Sequence, residues 1–106
     1  MNASTVGWSV PQMEVLTRRL KAIAHPSRLA IIDMLEGGRK MSVTEIYTQL
    51  QADQSSVSHH LSIMRDRGVL SYERRGKHIY YFLKSSAYVA LLDCLIGIHH
   101  NPDVAA

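Results

Sequence analysis

Ser55, Ser58, His59 and Ser62 have side chains short enough, and polar enough, to exchange hydrogen bonds with the edge of a base pair. On a helix of 3.6 residues per turn they fall on one side, while Val57, Leu61 and Met64 fall on the other. No carboxylate interrupts the polar stripe; the nearest are Asp53 before it and Asp66 after it. A helix of this kind can enter a DNA major groove, where acids would repel phosphate. The plain alternative is a solvated helix surface, but serine is a middling helix former and Glu, Lys or Ala would serve that purpose better. A second group, Arg74, Arg75 and Lys77 around Gly76, has the charge to meet phosphates.

The elements that must position these groups are legible on either side. Ser42-Val-Thr-Glu45 has the spacing of a capping box opening a helix through Leu50, with Ile46 and Leu50 inward. Residues 51–53 break it, and Asp53 is suited to cap the next helix, which Gly68 ends. Two short helices joined by a tight turn predict a helix-turn-helix whose second helix is the reader. Residues 69–74 and 78–83 are rich in β-branched and aromatic types around a Gly-bearing turn, which predicts a β-hairpin. A basic hairpin after a helix-turn-helix reads as a wing rather than a solubilising turn. The expected fold is therefore mainly α with a small β-hairpin, a winged helix-turn-helix.

Residues 12–24 predict an amphipathic first helix with Met13, Leu16, Leu20 and Ile23 on one stripe. His25-Pro26 breaks it, and Pro26 suits the first turn of a second helix through Leu35, with Leu29, Ile32 and Leu35 offered to the core. The expected partition is a flexible N-terminus over 1–10, a DNA-binding and dimerisation domain over 11–100, and a tail over 101–106. The last helix, 86–100, is apolar nearly all round, with Asp93 its one charge. Such a helix needs cover on two sides, and a 106-residue domain supplies one. A second copy is the simplest other cover, and a two-fold dimer would present two readers to a palindromic operator in double-stranded DNA.

The net charge of +3 is modest, but residues 53–84 hold six basic and three acidic side chains while residues 85–106 hold no Lys or Arg and two Asp. One face suits phosphate and the other does not. No stretch approaches the roughly 20 apolar residues of a membrane span, and no signal pattern opens the chain, so a cytoplasmic protein without membrane partners is expected. A lone cysteine, Cys94, excludes an intrachain disulfide or a cysteine-only zinc site. Its apolar neighbours predict a buried thiol acting as a small hydrophobe; the competing reading is a thiol-based redox sensor. Ser/His/Asp and Cys/His constellations lack supporting motifs, so no enzyme, catalytic residue or cofactor is expected.

These pieces together resemble the ArsR/SmtB family of bacterial winged-helix repressors. The resemblance covers about residues 13–100 and is carried by Ala24-His-Pro-Ser-Arg-Leu-Ala-Ile-Ile-Asp-Met-Leu35, Gln54-Ser-Ser-Val-Ser-His-His-Leu61, and Arg67-Gly-Val-Leu70 leading into Arg74-Arg-Gly-Lys-His-Ile-Tyr-Tyr81. It implies a homodimer through first and last helices, which places Leu16, Leu20, Leu92 and Leu95 at the interface. It also implies DNA contact by Gln54, Ser55, Ser58 and His59 on the reader and Arg74, Arg75 and Lys77 on the wing, with release from DNA by an inducer. The family's metal sites do not carry over. Positions corresponding to thiolate ligands hold Ser42, Thr44 and Tyr47, and hydroxyls do not replace thiolates for soft metals. Those of the last-helix site hold Ser86, Tyr88, His99 and Pro102, leaving one ligand; His99 and the adjacent His100 point about 100° apart on a helix. A winged-helix protein-interaction module without DNA binding is the alternative, and the basic wing and acid-free reader speak against it.

Overall fold

Side chains close to each helix start decide where the helices begin. The computed structural model describes the backbone of residues 7–100 and side-chain surroundings through residue 97. Within that span run α1 (Val10–Ile23), α2 (Pro26–Met34), a 3-10 turn (Glu36–Gly38), β1 (Met41–Ser42), α3 (Val43–Leu50), α4 (Gln54–Asp66), β2 (Leu70–Arg75), β3 (His78–Leu83) and α5 (Ala87–His100). Ser9 and Gln12 form a capping box, the Ser9 N–H donating to Gln12 Oε1 at 2.8 Å and the Gln12 N–H to Ser9 Oγ at 3.2 Å. That box starts α1 two residues earlier than the periodicity suggests, so Ser9 and Val10 belong to the folded unit rather than to a loose N-terminus. His25 caps α2 by accepting the Ser27 N–H on Nδ1 at 3.1 Å, with Pro26 in the first turn.

The core is built from Ile31, Ile32, Leu35, Ile46, Val57, Leu61, Met64, Val69 and Leu70, all fully buried. Helix α4 lies at its centre and packs against α1, α2, α3 and β2. Leu29, expected inside, is instead 36% exposed; Ile31 and Ile32 supply the inner face of α2. The hairpin forms at the expected size, but the sheet gains a third strand. Strand β1 pairs antiparallel with β3, Met41 opposite Tyr81, giving a three-stranded sheet in the order β1-β3-β2. Two residues are too few to show alternation, and β1 exists because the Met41 side chain reaches the core, where it is 3% exposed.

Helices α1 and α5 leave apolar surface uncovered. Leu16, Leu20, Leu95 and Ile96 are exposed, while Leu92 is half-buried against the core. Between α1, α2 and α5 lies an open apolar groove of about 940 Å³ lined by residues including Leu20, Ile23, Leu29, Leu92 and Ile96. Cys94, expected to be buried, is exposed in the protomer. The reason is that α5 packs inward through Tyr88, Val89, Leu91 and Leu92, and Cys94 falls off that stripe. His99 and His100 lie outside the residues whose side chains are described.

Truncating the core at α4 tests this architecture. Leu61→Ala removes a fully buried side chain and is expected to lower the unfolding free energy by about 2–5 kcal/mol in urea titrations. The same change at exposed Leu29 is expected to cost clearly less, and equal losses would contradict the packing described.

Candidate nucleic-acid interface

The reader helix is fixed at its start, along its inner face and at its end. Ser42 and Glu45 open α3 with reciprocal bonds, Ser42 N–H to Glu45 Oε1 at 2.9 Å and Glu45 N–H to Ser42 Oγ at 3.2 Å. Gln51 takes a left-handed conformation (φ 56°) and donates its N–H to the Thr48 carbonyl, closing α3. Asp53 then caps α4, its Oδ2 accepting the Ser56 N–H at 2.9 Å. Bonds from Ser56, backbone first and then side chain, hold the Asp53 carboxyl below the usual carboxylate range. At the far end Gly68 adopts φ 81°, which a side chain would strain, and turns the chain into β2.

This frame leaves Gln54, Ser55, Ser58 and His59 exposed on the outer face of α4, with Val57, Leu61 and Met64 fully buried behind them. Ser62, expected with the outer group, is half-buried. Arg28 ties the helix to its neighbours: its Nε–H donates to His60 Nδ1 at 3.1 Å, and its Nη1 donates to the Ala22 carbonyl at 3.4 Å. The His25 ring lies beside His60, tilted by 44° with centroids 4.5 Å apart. Accepting on Nδ1 places the proton of neutral His60 on Nε2. Burial first, then the charges of His25, Arg28 and His59, push the His60 pKa down from its ordinary value.

The hairpin turns at Gly76 (φ 62°), with Arg75 opposite His78, and presents Arg74, Arg75 and Lys77 exposed at its tip. Strand alternation sends Arg74 to the face opposite Arg75. Arg75 is engaged: its Nη2 lies 2.6 Å from Glu73 Oε1 and its guanidinium sits 5.6 Å from the Tyr80 ring centre. Lys40 joins the same face, 3.2 Å from Glu73 Oε2 and 5.1 Å from the Phe82 ring centre. Sequence reasoning misses Lys40, because only the β1–β3 pairing brings residue 40 beside the wing. Among the described residues, no group of three or more His, Cys, Asp or Glu side chains could hold a metal ion.

Comparison with known proteins identifies the family to which this fold belongs. Residues 25–72 match the family described as "Bacterial regulatory protein, arsR family". The chain is 39% identical over 83 residues to the transcriptional repressor SdpR of Bacillus subtilis, covering 78% of this chain and 91% of that protein. It belongs to the arsR family. The crystal structure of the transcriptional repressor PagR of Bacillus anthracis superposes on this arsR-family chain with a TM-score of 0.73 at 34% identity, covering 82% of this chain and 99% of that one. HlyU from Vibrio cholerae superposes at 0.75 with 30% identity, covering 82% and 97%. The arsR match spans α2 to the middle of β2, so it takes in the whole helix-turn-helix.

His60 gives this arsR-family chain a pH-dependent element of stability. The unfolded chain takes up a proton at His60 at a higher pH than the folded one, so folding must lose stability as pH falls through the ordinary histidine value of 6.5. Urea midpoints measured from about pH 7.5 to about pH 5.5 are expected to fall, and to fall less in His60→Asn, whose amide oxygen can still accept from Arg28. Parallel pH profiles for the two proteins would contradict the assignment.

Proposed function

We propose that this chain is a sequence-specific transcriptional repressor that binds a palindromic operator as a homodimer and is released from it by a signal. The observation that carries the reading is the outer face of α4. Gln54, Ser55, Ser58 and His59 are exposed, carboxylate-free and backed by a fully buried apolar stripe. A surface built this way meets base edges without repelling phosphate. A DNA-binding transcriptional regulator is also what the arsR-family membership and the repressors SdpR and PagR indicate. Arg74, Arg75 and Lys77 are assigned to phosphate contact from the wing. A protein-interaction module would have no use for that basic tip. The regulator works in the cytoplasm, in keeping with a bacterial family that acts on DNA, and no enzymatic role is assigned to it.

Dimerisation is assigned to α1 and α5, on the exposed Leu16, Leu20 and Leu95 and half-buried Leu92. Apolar area on two helices from opposite ends of the chain is best removed from water by a second copy. The two readers of such a dimer would meet half-sites about one helical turn apart.

Two measurements test this. Light scattering at micromolar concentration is expected to give about twice the 11.9 kDa chain mass, and Leu95→Glu is expected to give the monomer; a monomeric wild type would sink the dimer. For DNA, Ser58→Ala and His59→Ala are expected to weaken binding to operator fragments selected from the source genome by about 1–3 kcal/mol. Arg74→Ala and Lys77→Ala are expected to weaken specific and non-specific binding alike and to flatten the salt dependence by about one unit for each phosphate no longer neutralised. Unchanged salt slopes in the wing variants would remove the wing from the interface.

A further inference from the structure

We propose that Glu73 is a positioning residue that holds Arg75 on the wing and withholds part of its charge from DNA. The inference rests on the DNA-binding reading above. Between residues 67 and 84 Glu73 is the only acid, among Arg67, Arg74, Arg75, Lys77 and Lys84. Alternation along β2 puts Glu73 and Arg75 on one face, and register sets Glu73 across from Tyr80 and Arg75 across from His78. The carboxylate is held from two sides, Lys40 Nζ at 3.2 Å on Oε2 and Arg75 Nη2 at 2.6 Å on Oε1. Oε1 is shielded from solvent, and no aligned hydrogen bond reaches it, so its hold on Arg75 is one of charge. Behind the pair, the Tyr80 ring supports the guanidinium and the Phe82 ring supports Lys40.

Stability gives little reason for this arrangement. The Arg75 side chain is 62% exposed, and ion pairs at such sites contribute little to folding. Its effect falls on DNA instead. An arginine paired with a carboxylate releases fewer counterions when it meets a phosphate than a free one does. The free cations of the tip among the described residues, Arg74 and Lys77, carry the general phosphate attraction, while Arg75 is kept in one orientation and engages only a backbone that arrives in register. Glu73 therefore lowers affinity for arbitrary sequence and confines Arg75 to the correctly docked complex.

The experiment uses full-length chains and a mixed-sequence DNA duplex, with affinity measured against salt. Glu73→Gln is expected to bind that duplex about tenfold tighter at 0.1 M salt, with a slope steeper by about one unit, the value of one phosphate contact. Glu73→Thr, whose branched side chain suits a strand, is expected to do the same and serves if the Gln variant loses its fold. In an Arg75→Ala background the improvement is expected to shrink below about twofold, since the tip cation that Glu73 restrains is then absent and only Lys40, outside the tip, is released. An unchanged slope in Glu73→Gln overturns the proposal, and so does an equal improvement with and without Arg75, which marks release of Lys40 or simple repulsion of DNA by the carboxylate. On operator fragments selected from the source genome, Arg75→Ala with the wild-type slope would instead remove Arg75 from DNA contact, a failure of the underlying reading that this single variant reveals separately.

Discussion

Complete removal of Val57, Leu61 and Met64 from water is the constraint on which the rest of the molecule depends. These three side chains anchor α4 against α1, α2, α3 and β2 together, so one apolar stripe fixes both the core and the direction in which the opposite stripe points. Rotating α4 by one residue, about 100°, would bury serine hydroxyls without partners and expose three large apolar groups. Arg28 reinforces the same placement by polar means, joining the Ala22 carbonyl of α1 to His60 of α4. Core packing and the aim of the reader are thus one physical fact.

What can be read from the sequence is what the chain decides locally. The Ser42–Glu45 box, the Asp53 cap, the glycine at 68 and the inward spacing of 57, 61 and 64 each involve residues within a turn or two, and each is present in the fold. Features set by distant partners are not legible. Strand β1 depends on Tyr80 and Tyr81, some forty positions away. The exposure of Leu29 depends on how far α5 covers α2, and that of Cys94 on which face of α5 packs inward. Ser9 is a local signal that is easily missed, since its capping box with Gln12 lies ahead of the apolar period that marks the helix. For the interface, the basic residues of the tip can be named from sequence, but their inequality cannot. It takes strand register to show that Arg75 is paired and Arg74 lies on the other face.

On the interface side, three of the acids among the described residues are occupied within the fold. Asp53 accepts the Ser56 amide, Glu45 accepts the Ser42 amide, and Glu73 lies between Lys40 and Arg75. The same bonds hold all three carboxyls below their ordinary range, so they stay ionised while their charge is spent within the fold. Acids that serve as caps and clamps can sit close to a phosphate-facing surface without dominating its field.

The outward residues of α4 contribute nothing to the buried cluster behind them. Gln54, Ser55, Ser58 and His59 can therefore be exchanged at a cost to folding typical of surface positions, within about half a kcal/mol. Under the function proposed above, lineages carrying this scaffold are free to explore new binding sequences one substitution at a time, without passing through unfolded intermediates. On that reading, selection on what the protein recognises is uncoupled from selection on whether it folds, so a gene duplicate could acquire a separate set of targets by drift at four solvent-facing positions.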